Sequence, residues 1–204
     1  MVIMPDDSLV AFVLLAANVI LSLMAFAQGR AVYEQLWFEP FKVYRNERPY
    51  TIITSGFIHA DWGHLLFNMI SFYFFGFALE ATVGSINFLL IYFGSLVAAD
   101  LPALFKYKND VNYKTLGASG AVSGVMFGYI LYEPLSRIYL FIIPIGIPAA
   151  IFGVLYLVGS YVAAKRQFDN VNHEAHFWGA LAGAVLTAVL NNDAIPTFYQ
   201  KVFG

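Results

Sequence analysis

Leu9 to Ala27 is an apolar run interrupted only by Asn18 and Ser22. Such a run, wound as a helix rising about 1.5 Å per residue, is long enough to cross the roughly 30 Å hydrocarbon core of a bilayer. Lipid offers backbone N–H and C=O groups no outside partner, so a run of this kind admits a helix and little else. Similar runs recur at 65–83, 88–105, 118–132, 148–164 and 175–190, giving six spans. Composition agrees, with 60% hydrophobic and 12% charged residues. A soluble domain of this size carries about twice that charge. The expected fold is an all-α membrane protein, a six-transmembrane-helix bundle forming one domain over residues 1–204.

Several chemistries drop out at once. There is no cysteine, which excludes disulfides, thiolate metal sites and a cysteine nucleophile. The net charge is −2 and no basic run points to nucleic acid. Asp6 and Asp7, with no Lys or Arg before the first apolar run, make a poor signal peptide and suit a first membrane span.

Between the first two spans, Gln28 to Trp62 reads as a long polar and aromatic loop carrying Trp37-Phe38-Glu39-Pro40 and Arg48-Pro49-Tyr50. Loops of that length tend to be functional. Its aromatics place it in the membrane interface, with Trp37 and Phe38 as anchors. Asp100 beside Pro102 reads as a helix end. Ile138 to Ile147, with Pro144 and Gly146, reads as an extended interfacial segment. Pro148 suits the first turn of the fifth span.

The chemistry concentrates around Gly117-Ala118-Ser119-Gly120. Gly120, Gly124 and Gly128 repeat every four residues and share one helical stripe. Ala175, Gly179 and Gly183 repeat the pattern in the sixth span. Stripes of this kind let helices in a bilayer approach backbone to backbone. With six spans, the second, fourth and sixth run the same way, and polar residues open all three: His59, His64 and Asn68; Ser119; His173 and His176.

Depth sharpens the picture. Ser119 to Tyr132 makes about 21 Å of helix, which sets Ser119 roughly 9 Å below the near interface if Tyr132 marks the far one. His176 to Leu190 makes about 22 Å and lands at a similar depth. A hydroxyl and an imidazole would then face each other inside the membrane, the minimum for nucleophilic catalysis. His64 and Asn68 lie four apart on one face and can donate where negative charge develops. The pattern is that of a serine hydrolase, although G-x-S-G with Ala121 is not the nucleophile elbow of soluble hydrolases.

These residues resemble the rhomboid family of intramembrane serine proteases over nearly the whole chain. The matching motifs are Gly117-Ala118-Ser119-Gly120, Ala175-His176-Phe177-Trp178-Gly179 and His64-Leu65-Leu66-Phe67-Asn68, with lesser matches at Arg48-Pro49-Tyr50 and Glu80. The resemblance implies Ser119 as nucleophile and His176 as its base, without a catalytic carboxylate or cofactor. It implies His64, Asn68 and the Ser119 N–H as the oxyanion site, and a partly embedded first loop. The substrates it implies are transmembrane proteins within the lipid bilayer. Many members carry a tyrosine four residues after the nucleophile to support the histidine ring. Here that position is Ser123, so the His176 ring must be steadied by other means.

Other readings fit these residues less well. His173-Glu174-Ala175-His176 is one residue short of H-E-x-x-H, which disfavours a zinc site. His59 and His173 read as solvated rim residues, and Glu80 as a structural hydrogen-bond acceptor. A small transporter would show repeated halves with broken helices, and none is visible. An inactive relative acting as a membrane chaperone is disfavoured by the intact Ser119 and His176. Orientation divides the signals. Nine cations, from Arg30 to Arg166, flank the active-site face, and only Arg137 and Lys201 lie opposite. Charge counting puts that face in the cytoplasm. The resemblance implies a bacterial plasma-membrane protein whose site opens outwards, and it is preferred because the first loop is long and partly embedded.

Overall fold

A computed structural model describes residues 8–140, 143–166 and 171–204. Asp6 and Asp7 lie outside the described residues, as does most of the polar loop after Arg166. In chain order the elements are α1 (Leu9–Gln28), α2 (Arg30–Leu36), α3 (Pro40–Tyr44), α4 (Thr51–Thr54), α5 (Trp62–Val83), α6 (Ser85–Lys106) and α7 (Ser119–Tyr132). Then come β1 (Arg137–Leu140), β2 (Ile143–Pro148), α8 (Ala149–Arg166), α9 (His173–Leu190) and α10 (Ala194–Phe203).

Four helices, α1, α5, α6 and α8, are long and apolar enough to cross a membrane. α7 is a shorter apolar helix of 14 residues. α9 has 18 residues, and its first turn carries His173, Glu174 and His176.

α7 is the centre of the bundle, with α5, α6 and α9 packed around it. Eleven of its 14 residues are buried, which is what a helix apolar on every side requires. α1 is sided instead. Ala11, Leu14, Asn18, Ser22 and Ala25 face inwards, while Phe12, Val13, Ile20 and Leu23 are exposed. Thus Asn18 and Ser22 face the protein: Asn18 Nδ2 donates to Leu14 O at 2.8 Å and to the Tyr92 hydroxyl at 3.2 Å.

Glu80 is fully buried and ties three helices together. Its carboxylate accepts from Val10 N at 3.1 Å, Ala11 N at 2.6 Å and Ser85 Oγ at 2.6 Å. The first N–H groups of α1 have no intrahelical partner, and a carboxylate at a helix N-terminus also suits the helix dipole.

Several sequence expectations need correction. The stretch 28–62 is folded into α2, α3, α4 and a 3₁₀ turn at Ser55–Phe57. Phe38 is fully buried and is no interface anchor. Its N–H and C=O pair with Thr115 at 2.9 and 3.0 Å, clamping the first loop to the segment before Ser119. Arg48 donates to Glu34 O and so holds the end of α2. Asp100 is not at a helix end, because α6 continues through Pro102 to Lys106. The segment expected to be extended is so, β1 and β2 pairing antiparallel with Ile138 opposite Ile147, within a mostly helical fold. Pro148 ends β2, and α8 starts one residue later. α10 has no counterpart in the sequence reading.

Candidate active site

The two glycine stripes meet. A Cβ built on Gly179 would come within 2.8 Å of Gly120 C and 2.9 Å of Gly120 Cα, and one on Gly124 within 2.9 Å of Gly179 O. A Cβ on Gly183 would strike Gly124, and one on Gly128 would lie 2.7 Å from Thr187 Oγ1. Contacts advance together along both helices, so α7 and α9 run parallel. Gly120 faces both Ala175 and Gly179. Carried one residue back, the same stagger sets Ser119 level with His176.

Both residues line a groove of about 980 Å³ that also takes in His64 and Asn68. The groove follows one face of α7 through Val122, Ser123, Met126 and Tyr129. Phe67, Ile70 and Phe74 of α5 wall one side, Phe152 and Tyr156 of α8 the other, and Arg137 and Tyr139 of β1 lie at its far end. It is therefore an elongated, largely apolar trough, with Ser119, His176, His64 and Asn68 at one end and Arg137 at the other.

The loop before Ser119 is set by Gly117. Its φ is +115°, a backbone conformation that side chains disfavour. A Cβ there would also lie 2.5 Å from Cε1 and 2.7 Å from Nε2 of His64. Gly117 N donates to Ser55 O at 2.9 Å. Ser119 is the first residue of α7, where backbone N–H groups lack helical partners and the dipole favours negative charge.

His64 lies in the first turn of α5, whose N-cap Asp61 accepts from His64 N at 2.8 Å. Its Nδ1 accepts from Ala60 N at 3.4 Å, which leaves the proton on Nε2, the nitrogen beside Gly117. Asn68 Nδ2 donates to His64 O at 2.9 Å, so one further N–H remains on that amide.

His59 departs most from expectation. It is fully buried, not a solvated rim residue. Nε2 accepts from Ala118 N at 3.4 Å, and Nδ1 lies 2.9 Å from Ser22 Oγ. The Ser22 hydroxyl donates onward to Phe57 O at 3.2 Å. One consistent assignment follows: Nδ1 carries the proton and Nε2 accepts. Burial above all, with His64 close by to disfavour a second positive charge, pushes the imidazole down to about 3. A neutral ring is what the contact with Ala118 N–H requires. His173 is half-buried, its ring edge-on to His176 at 5.8 Å.

The sequence also left the support of the His176 ring open. The Tyr156 ring lies over it, with centroids 6.3 Å apart and planes 23° from parallel. Tyr156 and the burial of His59 carry no local motif. The one signal was a tyrosine hydroxyl in the middle of an apolar span, which needs a partner when buried. Among the described residues, no three His, Asp or Glu side chains gather as a metal site.

Comparison with known proteins places this architecture. The family model of the Rhomboid domain matches residues 46–192, and the chain belongs to the rhomboid family. It is an integral, multi-pass membrane protein. RHOMBOID-like protein 12, mitochondrial, of Arabidopsis thaliana is 29% identical over 80% of this chain and 54% of its own length. Rhomboid protein 1, mitochondrial, of Saccharomyces cerevisiae is 28% identical over 66% of this chain and 40% of its own. Rhomboid protease GluP of Bacillus subtilis is 28% identical over 75% of this chain and 28% of its own. The chain thus spans about half or less of the length of these relatives.

Proposed function

We propose that the protein is an intramembrane serine endopeptidase, a single membrane domain of six spans in which α7 and α9 are the fourth and sixth. The observation that supports this reading is the close glycine contact between α7 and α9, together with a groove that both Ser119 and His176 line. His176 would take the Ser119 proton as Oγ attacks a peptide carbonyl, then return it to the leaving amine. The Ser119 N–H, His64 Nε2–H and Asn68 Nδ2 would stabilise the oxyanion. The substrate would be a transmembrane segment lying in the trough between α5 and α8. It must be extended near the scissile bond, because a helix engages its own carbonyls. The site would open outwards across a bacterial plasma membrane.

The test is cleavage of a model transmembrane substrate in detergent, together with labelling by a fluorophosphonate. Wild type should cleave and label at Ser119, Ser119→Ala and His176→Ala should do neither, and His173→Ala should retain most activity. Full cleavage by Ser119→Ala would end the reading. An inactive chaperone or a transporter would leave Ser119 unlabelled.

A further inference from the structure

We infer that Tyr156 on α8 is the positioning residue of the His176 imidazole, tethered for that task through Ser123 to the backbone of Ser119. The inference rests on the dyad proposed above. A histidine acting as base must hold one ring nitrogen towards the nucleophile. Its terminal torsion is soft and broadly two-fold, and packing against the ring face restricts it. Tyr156 supplies that face, at 6.3 Å and 23°. The tyrosine ring is itself wedged between Phe127 and Phe152, each at 5.9 Å.

The hydroxyl makes the arrangement specific. Tyr156 Oη lies 2.5 Å from Ser123 Oγ, and Ser123 Oγ donates to Ser119 O at 2.7 Å. Since the Ser123 proton is committed to that carbonyl, Tyr156 must be the donor to Ser123. The chain therefore runs Tyr156 O–H to Ser123 Oγ–H to Ser119 C=O. The ring that orients the base is fixed to the backbone of the nucleophile. The relay joins α7 and α8, and the Tyr156 ring carries it to His176 on α9. Ser123 is 3% exposed, and a buried hydroxyl without a partner is costly. A tyrosine that merely filled space could be a phenylalanine.

The experiment measures kcat, KM and melting temperature for Tyr156→Leu, Tyr156→Phe, Ser123→Ala and the Tyr156→Phe/Ser123→Ala double variant, with Ser119→Ala as the dead control. Misplacing a reacting group by about 1 Å can cost roughly 10²-fold. Tyr156→Leu, which removes the aromatic face, should lower kcat at least about tenfold while KM stays within about threefold. Tyr156→Phe restores the face but not the tether and should recover most of that loss. Ser123→Ala should match Tyr156→Phe, and the double variant should be no worse than either, since both remove one shared bond. Tyr156→Leu with wild-type kcat, a loss carried by KM alone, or additive single effects would overturn the inference while Ser119→Ala remains dead. Retained cleavage by Ser119→Ala would remove the dyad itself.

Discussion

Gly179→Ala is the sharpest test of the helix register, because the added methyl has nowhere to go. Its Cβ would lie 2.8 Å from Gly120 C and 2.9 Å from Gly120 Cα, and closer still to the Gly120 carbonyl oxygen. Carbon atoms in contact sit about 3.5–4.0 Å apart, so the helices must part by roughly 0.7 Å at the carbons and more at the oxygen. The obstacle is backbone, which has no rotamer to turn away. Gly179 is three residues from His176 and Gly120 one from Ser119, so the displacement falls on the candidate dyad itself. Overpacking of this kind costs about 1–3 kcal/mol, and a shift near 1 Å can cost roughly 10²-fold in rate. Cleavage of a transmembrane substrate and the melting temperature should therefore both fall. Gly159→Ala on α8 is the control. A Cβ there meets nothing within 4 Å, so that variant should cleave normally and melt no lower. Wild-type rate and melting temperature for Gly179→Ala would refute the packing of α7 on α9.

Three further outcomes are expected. Asn68→Ala should remain folded and label at Ser119, with turnover reduced on the order of 10²-fold; unchanged turnover would remove Asn68 from the oxyanion site. His59 is held neutral with its pKa near 3, below the ordinary 6.5, so the unfolded chain takes up its proton first as pH falls. Stability from this group should be complete above about 6.5 and decline towards about 3, and His59→Gln should flatten the melting temperature across that window. Single cysteines at Lys108 and Arg137 should label from opposite sides, with position 108 outside; labelling of 108 only from the cytoplasm would support the charge count instead.

Much of the site was legible because helices have a fixed rise and period. Spacing by four puts Gly120, Gly124 and Gly128 on one stripe, and helix length led to the expectation of a common depth for Ser119 and His176. Both are consequences of local geometry. The boundaries were less legible, since an apolar run does not mark its caps. α5 begins at Trp62 under Asp61, not at Leu65, which brings His64 into the helix. A proline at position 102 did not stop α6, where the packing of surrounding helices outweighs local preference.

What the chain alone determined was the solvent, the mostly helical class and the stripes along which two helices could meet. Only tertiary structure decided which side chains from distant segments fill the remaining faces. Phe38 joins Thr115, His59 accepts from Ala118, and Tyr156 reaches Ser123 and His176. None of these pairs has a sequence period, because each depends on the lateral placement of separate elements. The physical reason lies in range: backbone hydrogen bonding repeats every few residues, whereas a buried hydroxyl or imidazole takes the partner that the assembled bundle brings within about 3 Å.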